Sequence, residues 1–196
     1  MRADGNKDML FQDEINQSVR TAYAGIDHGA GKMAVDLLYS EEELAGLPPE
    51  AVGWALGVGN PVRHAELRTG ETVLDIGSGG GIDTILAARV VGPTGRAIGL
   101  DVLDEMIRRA RTHAAAAGVE GWTEFVRGEM ESIPLPDASV DVVISNGVIN
   151  LSPRKSRVLA EIHRVLKPGG RLCVADLTVE DELPPELMAN EAAWAG

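Results

Sequence analysis

The sequence holds a single cysteine, Cys173, among 196 residues. One thiol cannot close an intramolecular disulfide or supply a multi-thiolate metal site, so a disulfide scaffold and a zinc ribbon are both excluded. Long apolar runs are also missing, since none approaches the roughly eighteen residues that a membrane span needs. The start, Met1 to Glu14, is polar and acidic where a signal peptide would be basic and then apolar. These absences predict a cytoplasmic protein with no membrane partner. Positive charge is scarce as well. The net charge is -12, and the acidic excess lies in residues 1–50 and 176–196, while residues 51–175 are balanced. An acidic surface repels phosphate backbones, so nucleic acid is not an expected partner. Arg108, Arg109 and Arg111 form a local basic cluster that reads, on a helix, as a solvated face. No internal repeat or low-complexity segment is present.

What is there, 44% hydrophobic and 24% charged residues, suits one globular domain with a sizeable core. Residues 1–50 read as an acidic helical arm or lid, with a helical candidate at Leu10–Tyr23 and another at Glu41–Leu47 closed by Pro48-Pro49. Between them Gly25–Lys32, with three glycines, reads as a connection. From Glu71 short apolar strands alternate with amphipathic helices, the pattern of a mostly parallel sheet covered on both faces. Strands are predicted at Thr72–Ile76, Arg96–Leu100, Thr123–Arg127, Val140–Ser145 and Arg171–Asp176. A helix is predicted from Ile82 to Val91, stopping at Gly92-Pro93. A second runs from Asp104 to Ala117, with Met106, Ile107, Ala110, Ala114 and Ala117 on one face. A third opens with Ser152 as cap and Pro153 in its first turn, turns Val158, Leu159, Ile162, Val165 and Leu166 inward, and closes at Pro168-Gly169-Gly170. The fold class is therefore α/β, a Rossmann-like, doubly wound, mostly parallel sheet forming a core over residues 51–180, followed by an acidic tail at 181–196.

Ligands in such sheets bind beyond the carboxyl ends of the strands, where strand order reverses. The first strand runs into Asp75-Ile76-Gly77-Ser78-Gly79-Gly80-Gly81, a turn with little side-chain bulk. Ile82 stands where a dinucleotide fingerprint needs its third glycine, and no Gly-Lys-Ser follows, so neither NAD, FAD nor a triphosphate is expected. Asp101 ends the next strand 20 residues after Gly81, where a carboxylate can accept from both hydroxyls of a ribose. Capping of the following helix is the plain alternative. After the third strand, Gly128-Glu129-Met130 could accept from an adenine amino group between apolar neighbours, or be an exposed loop.

Asp75 to Gly81, Gly99-Leu100-Asp101, Gly128-Glu129-Met130 with Ile133-Pro134-Leu135-Pro136, and Val165 to Gly170 resemble class I S-adenosylmethionine-dependent methyltransferases over residues 70–176. Gly57-Val58-Gly59-Asn60-Pro61, Gly79 to Asp83, Ile144 to Leu151 and Ala193-Trp194-Ala195-Gly196 are similar to bacterial arsenite methyltransferases. The resemblance implies that Asp75 and the turn through Gly77, Ser78, Gly79 and Gly81 pass the methionine part of the cofactor. It puts Asp101 and Val102 at the ribose, Met106, Gly128, Glu129 and Met130 at the adenine, and Asn146 near the methyl group. The product would be S-adenosylhomocysteine. Methyl transfer from a sulfonium asks mainly for a nucleophile held in line, so missing catalytic acids do not speak against activity; the catalytic residues are left unassigned, and no metal ligand is expected.

Two departures bear on the acceptor. Arsenite methyltransferases carry cysteines where this chain has Val58 and Gly147, another in the amino-terminal arm, and one after the Ala-Trp-Ala-Gly run. Capture of a soft arsenic centre needs several thiolates, so the resemblance implies a small-molecule acceptor without naming it. The class also adds a helix and two strands after the fifth strand, for which Leu177–Gly196 is too short. One sheet edge would be open, inviting a homodimer, and a non-catalytic cofactor-binding or truncated protein acting as an interaction module stays a second reading. Cys173 is expected to be a buried apolar residue. His28 is expected to be a loop residue, and His64, His113 and His163 have no assigned role. Tyr23 and Tyr39 could reach the cofactor from the arm.

Overall fold

Runs of valine, isoleucine and leucine set off by glycine and proline favour short buried strands. In the computed structural model, which describes Gln17, Thr21 and residues 32–178, they form β1 (Thr72–Ile76), β2 (Arg96–Asp101), β3 (Thr123–Arg127), β4 (Val140–Asn146) and β5 (Leu166–Ala175). All pairs are parallel in the order β3-β2-β1-β4-β5. The helices are α1 (Lys32–Leu38), α2 (Glu41–Leu44), α3 (Pro49–Gly53), α4 (Pro61–His64), α5 (Ile82–Val91), α6 (Asp104–Ala116) and α7 (Lys155–Val165). None of the described helices is long and apolar enough to cross a membrane.

Successive strand residues alternate between faces, and β1 feeds two apolar layers. Val73 joins the layer that holds Ile85 and Val91 of α5, Ile107 and Ala110 of α6, and Val35, Tyr39 and Leu47 from the amino-terminal segment. Leu74 and Ile76 join the other, against Val158, Ile162 and Val165 of α7. Helices on both faces make the sheet doubly wound, as expected. The starts of the strands are held by charge. Arg171 forks onto Glu71 at 2.7 and 2.8 Å, and Asp141 accepts from the Thr72 N–H and the Lys167 ammonium, each at 2.8 Å.

Several expectations are corrected. Pro48-Pro49 does not close a helix. The helix α2 stops at Leu44, and Pro49 opens α3, since a first-turn position needs no N–H partner. Ser152 does not cap α7. Its hydroxyl bonds the Glu131 carboxylate and accepts from the Arg154 N–H at 3.0 Å, and α7 begins at Lys155 with no side-chain cap. Leu159 is 51% exposed, because the inward stripe is Val158, Ile162 and Val165. The chain leaves α7 at Val165, and Leu166 already pairs with Val140, so β5 starts early; Lys167–Gly170 then loops out of register before Arg171 meets Val142. Among the described residues β5 is a sheet edge. Leu172 and Val174 are exposed on one face of it, and Cys173, on the other face against the first layer, is only half-buried, since neither face of this edge strand is fully covered by described residues. Apart from Gln17 and Thr21, the Leu10–Tyr23 candidate, the Gly25–Gly31 connection, Tyr23, His28 and the 181–196 tail lie outside the described residues.

Candidate functional site

The order of strands reverses between β1 and β4, so the chain leaves their carboxyl ends in opposite directions and opens a crevice there. Its floor is the glycine turn. The N–H groups of Gly77 and Ser78 both donate to the Leu100 carbonyl, at 2.8 and 3.0 Å, which staples the turn to β2. Gly77 has φ +74°, and a Cβ there would lie 2.4 Å from a Val148 methyl. Both the conformation and the contact require glycine. Ser78 is buried and its hydroxyl has no hydrogen-bond partner among the described residues. Gly79 sits beside open space.

A cavity above this floor is lined by Asp75, Gly77, Ser78, Gly79, Asp101, Val102, Met106, Gly128, Glu129, Met130 and Asn146. These are the sequence-predicted residues with one exception. Gly81 does not line it. At φ +89° it starts α5 and packs on Ala110 and Phe125, so its role is structural. Asp101 performs part of the capping alternative, because its carboxylate accepts from the Gly79 N–H and the Leu103 N–H, both at 2.9 Å. It ties the turn to the start of α6 while lining the cavity. Burial pushes its carboxyl pKa up, against the pull of those backbone donors. Glu129 stands exposed at the rim. Met106 is buried on the inner face of α6.

Asp75 is fully buried and accepts from the Thr84 hydroxyl at 2.6 Å. Burial, and then the nearby Asp83, push its pKa well above the usual carboxylate range. Burial likewise raises Asp83, opposed by hydrogen bonds from Asn146 and Tyr39. Tyr39, which follows α1, donates to Asp83 Oδ1 at 2.7 Å. Asn146 has its side-chain amide engaged within the protein. Its Oδ1 accepts from the N–H groups of Val58 and Gly59 at 2.8 and 3.0 Å, and its Nδ2 donates to the Gly59 carbonyl and Asp83 Oδ2 at 2.8 and 2.9 Å. Val58 and Gly147, the two positions where the resemblance put cysteines, lie together: a Cβ on Gly147 would be 3.5 Å from a Val58 methyl. No side-chain ligand atom is present at either.

Some of the surrounding residues gave no clear sequence signal. His113 is buried, with Nδ1 2.7 Å from the Gly80 carbonyl, so it braces the glycine turn. Its place between Ala110 and Ala114 on the inner face of α6 was the available clue. Trp54 lines the cavity, and the Arg109 guanidinium stacks 3.5 Å from its ring centre. Arg111 donates to the Phe125 carbonyl at 2.8 Å. The solvated-face reading therefore holds for Arg108 and Arg111, which are exposed, and not for Arg109. His64 and His163 are exposed, and the described residues contain no group of acids, histidines and cysteines arranged to hold a metal.

Residues 67–196 match the family model described as a methyltransferase domain. The chain is 42% identical over 158 residues to an arsenite methyltransferase of Halobacterium salinarum, an alignment covering 81% of this chain and 40% of the relative. It is 40% identical over 113 residues to a ubiquinone/menaquinone biosynthesis C-methyltransferase of an Enterobacter species, covering 57% and 45%. Among solved structures it is similar to an arsenic(III) S-adenosylmethionine methyltransferase from Chlamydomonas reinhardtii, with a TM-score of 0.66, 34% identity, and coverage of 91% of this chain and 56% of that one. The chain thus spans about half the length, or less, of these relatives. With its sheet order, its glycine turn and these matches, the chain belongs to the methyltransferase domain family and has the Rossmann-like fold of the S-adenosylmethionine-dependent enzymes.

Proposed function

We propose that this chain binds S-adenosylmethionine in the crevice between β1 and β4 and directs its methyl group to a small acceptor without negative charge. The observation that carries the reading is the cavity itself, in which a side-chain-poor turn and the Asp101 carboxylate converge at the switch point. The residues present suit the cofactor. Gly77 and Gly79 leave backbone exposed for close approach, and Asp101 keeps acceptor capacity beyond its two backbone donors. When bound, the cofactor supplies an electrophilic methyl group on a sulfonium.

The chain's own part is to hold, orient and exclude water. Asp101 and Val102 would take the ribose side, Met106, Gly128, Glu129 and Met130 the base, and Asp75 with Gly77 to Gly79 the amino-acid end. Leu56, Val148 and Leu151 give the cavity an apolar wall near Asn146, and its described lining contains no basic side chain. That lining favours an acceptor without negative charge. Thiolate capture of arsenite would need ligands beyond Cys173, which lies outside the cavity on β5. The same reading assigns residues 1–50 as an arm meeting the site at Tyr39, 51–180 as the core and 181–196 as a tail. It places the protein in the cytoplasm, without a nucleic-acid partner, in line with the acidic balance. The β5 edge, open among the described residues, with Leu172 and Val174 exposed, supports pairing of two copies.

Calorimetric titration with S-adenosylmethionine and S-adenosylhomocysteine tests the reading. Saturable one-to-one binding of both is expected, followed by methylation of an acceptor without negative charge from a panel of hydroxyl, amine, thiol and arsenical compounds. A folded chain that binds neither overturns it.

A further inference from the structure

We propose that Trp54 is a binding residue for the amino-acid end of the cofactor, its indole forming the cavity wall beside the glycine turn and held in place by Arg109. The inference rests on the reading above that the cavity takes S-adenosylmethionine.

Three observations converge on this ring. Trp54 lines the cavity, and it directly follows α3, whose last turn its N–H still joins by bonding the Ala51 carbonyl at 3.3 Å. The glycine turn is shaped to receive it. Gly77, Gly79 and Gly81 have positive φ, but Gly80 does not, so its backbone conformation would accept a side chain. Its surroundings would not, because a Cβ there would fall 2.7 Å from Trp54 Cβ. Glycine at 80 thus lets Trp54 settle on the turn, at the end of the cavity assigned to the amino-acid part of the cofactor.

Arg109 supplies the third observation. Its guanidinium stands 3.5 Å from the centre of the Trp54 ring, well inside the ~6 Å reach of a cation–π contact. The Nε donates to Glu105 Oε1 at 3.0 Å, whereas Nη1 is buried with no hydrogen-bond partner among the described residues. A buried donor without a partner costs free energy, and the face of the indole is what offsets it. Arg109 does not itself line the cavity, so it fixes the ring from outside. A ring fixed in this way loses little freedom when a ligand arrives, and its broad apolar surface excludes water from the amino-acid chain.

The test compares three ligands by calorimetry. S-adenosylmethionine and S-adenosylhomocysteine carry the amino-acid chain; methylthioadenosine keeps the adenine, ribose and sulfur but lacks it. Trp54→Ala should weaken the first two about tenfold each and leave methylthioadenosine unchanged, and Trp54→Phe should restore most of the loss. Arg109→Met should give the same pattern by a smaller factor. Equal loss for all three ligands, as from a merely structural defect, overturns the proposal, and so does no loss in a folded Trp54→Ala chain.

Should that variant not fold, the wild type labelled with 5-fluorotryptophan answers the same question by fluorine NMR. The chain has three tryptophans, Trp54, Trp122 and Trp194, and Trp122→Phe and Trp194→Phe assign the signals by subtraction. The Trp54 signal should move on saturation with S-adenosylhomocysteine and stay in place with methylthioadenosine. A signal that moves with neither, or equally with both, overturns the proposal. A wild-type chain that binds none of the three ligands sinks the functional reading itself, whereas binding that ignores Trp54 sinks this inference alone.

Discussion

Alanine substitution at Gly77 and at Gly79 should separate stability from binding. Both glycines have positive φ, +74° and +49°, so a side chain at either costs about 1–2 kcal/mol of backbone strain. At Gly77 the added Cβ would also lie 2.4 Å from Val148 Cγ2 and 2.7 Å from Cγ1. A side chain that already packs over the turn must move, which adds about 1–3 kcal/mol. At Gly79 the Cβ meets nothing within 4 Å. Gly77→Ala should therefore lose about 2–5 kcal/mol, and Gly79→Ala about 1–2 kcal/mol. For a chain of this size each kcal/mol moves the melting temperature by about 2–4 °C. Chemical denaturation of the ligand-free variants gives the two losses, and calorimetry gives the affinities. Gly79→Ala should bind S-adenosylmethionine about tenfold or more weakly while remaining well folded, because its methyl group stands where the ligand would pass the backbone. Equal stability losses at the two positions would refute the contact argument. Unchanged affinity in Gly79→Ala would refute the path of the ligand.

Asp101→Ala removes a carboxylate that two backbone N–H groups share with the proposed ribose site, and calorimetry should show cofactor affinity reduced about a hundredfold. Asp75 should make stability fall as pH rises: burial raises its folded pKa above the unfolded value, so the native state holds a proton that unfolding releases, and the loss grows from about pH 4 up through the raised value. The unfolding free energy of Asp75→Asn should accordingly depend less steeply on pH across that window, and an unchanged slope would count against a protonated Asp75. Light scattering should find a dimer that Val174→Glu returns to monomer, since a charge on the exposed β5 face opposes pairing; an unaltered mass would remove the edge from consideration.

The elements that could be read from sequence are those whose cause is local. The bounds of β1 and α5 agree with expectation because each is a short, mostly apolar run stopped by glycine, and those of β3 agree as well. The cavity residues were legible for the same reason, since glycines and a strand-terminal aspartate carry their meaning at fixed offsets. What escaped depends on partners far along the chain. Ser152 looks like a cap until Glu131, 21 residues earlier, takes its hydroxyl. Asn146 looks available to a ligand until Tyr39 and the Val58–Gly59 backbone, about a hundred residues away, surround its amide. Leu159 fits a helical stripe, but α7 is covered along a narrower line than the stripe allows. Arg109 and His113 gave a charged and a polar letter on a helix whose inner face needed both, one for Trp54 and one for Gly80.

The ionic ties at the starts of the strands, Arg171 to Glu71 and Asp141 to Thr72 and Lys167, lie at the end of the sheet opposite the cavity. Frame and chemistry are thus housed apart. The turn at Gly92–Gly95, on the frame end, is a natural place to graft a fluorophore or an affinity handle, because lengthening an exposed connection there costs little. Conversely, the loops at the crevice can diversify their side chains for new acceptors without loosening the ties that keep the strands in register.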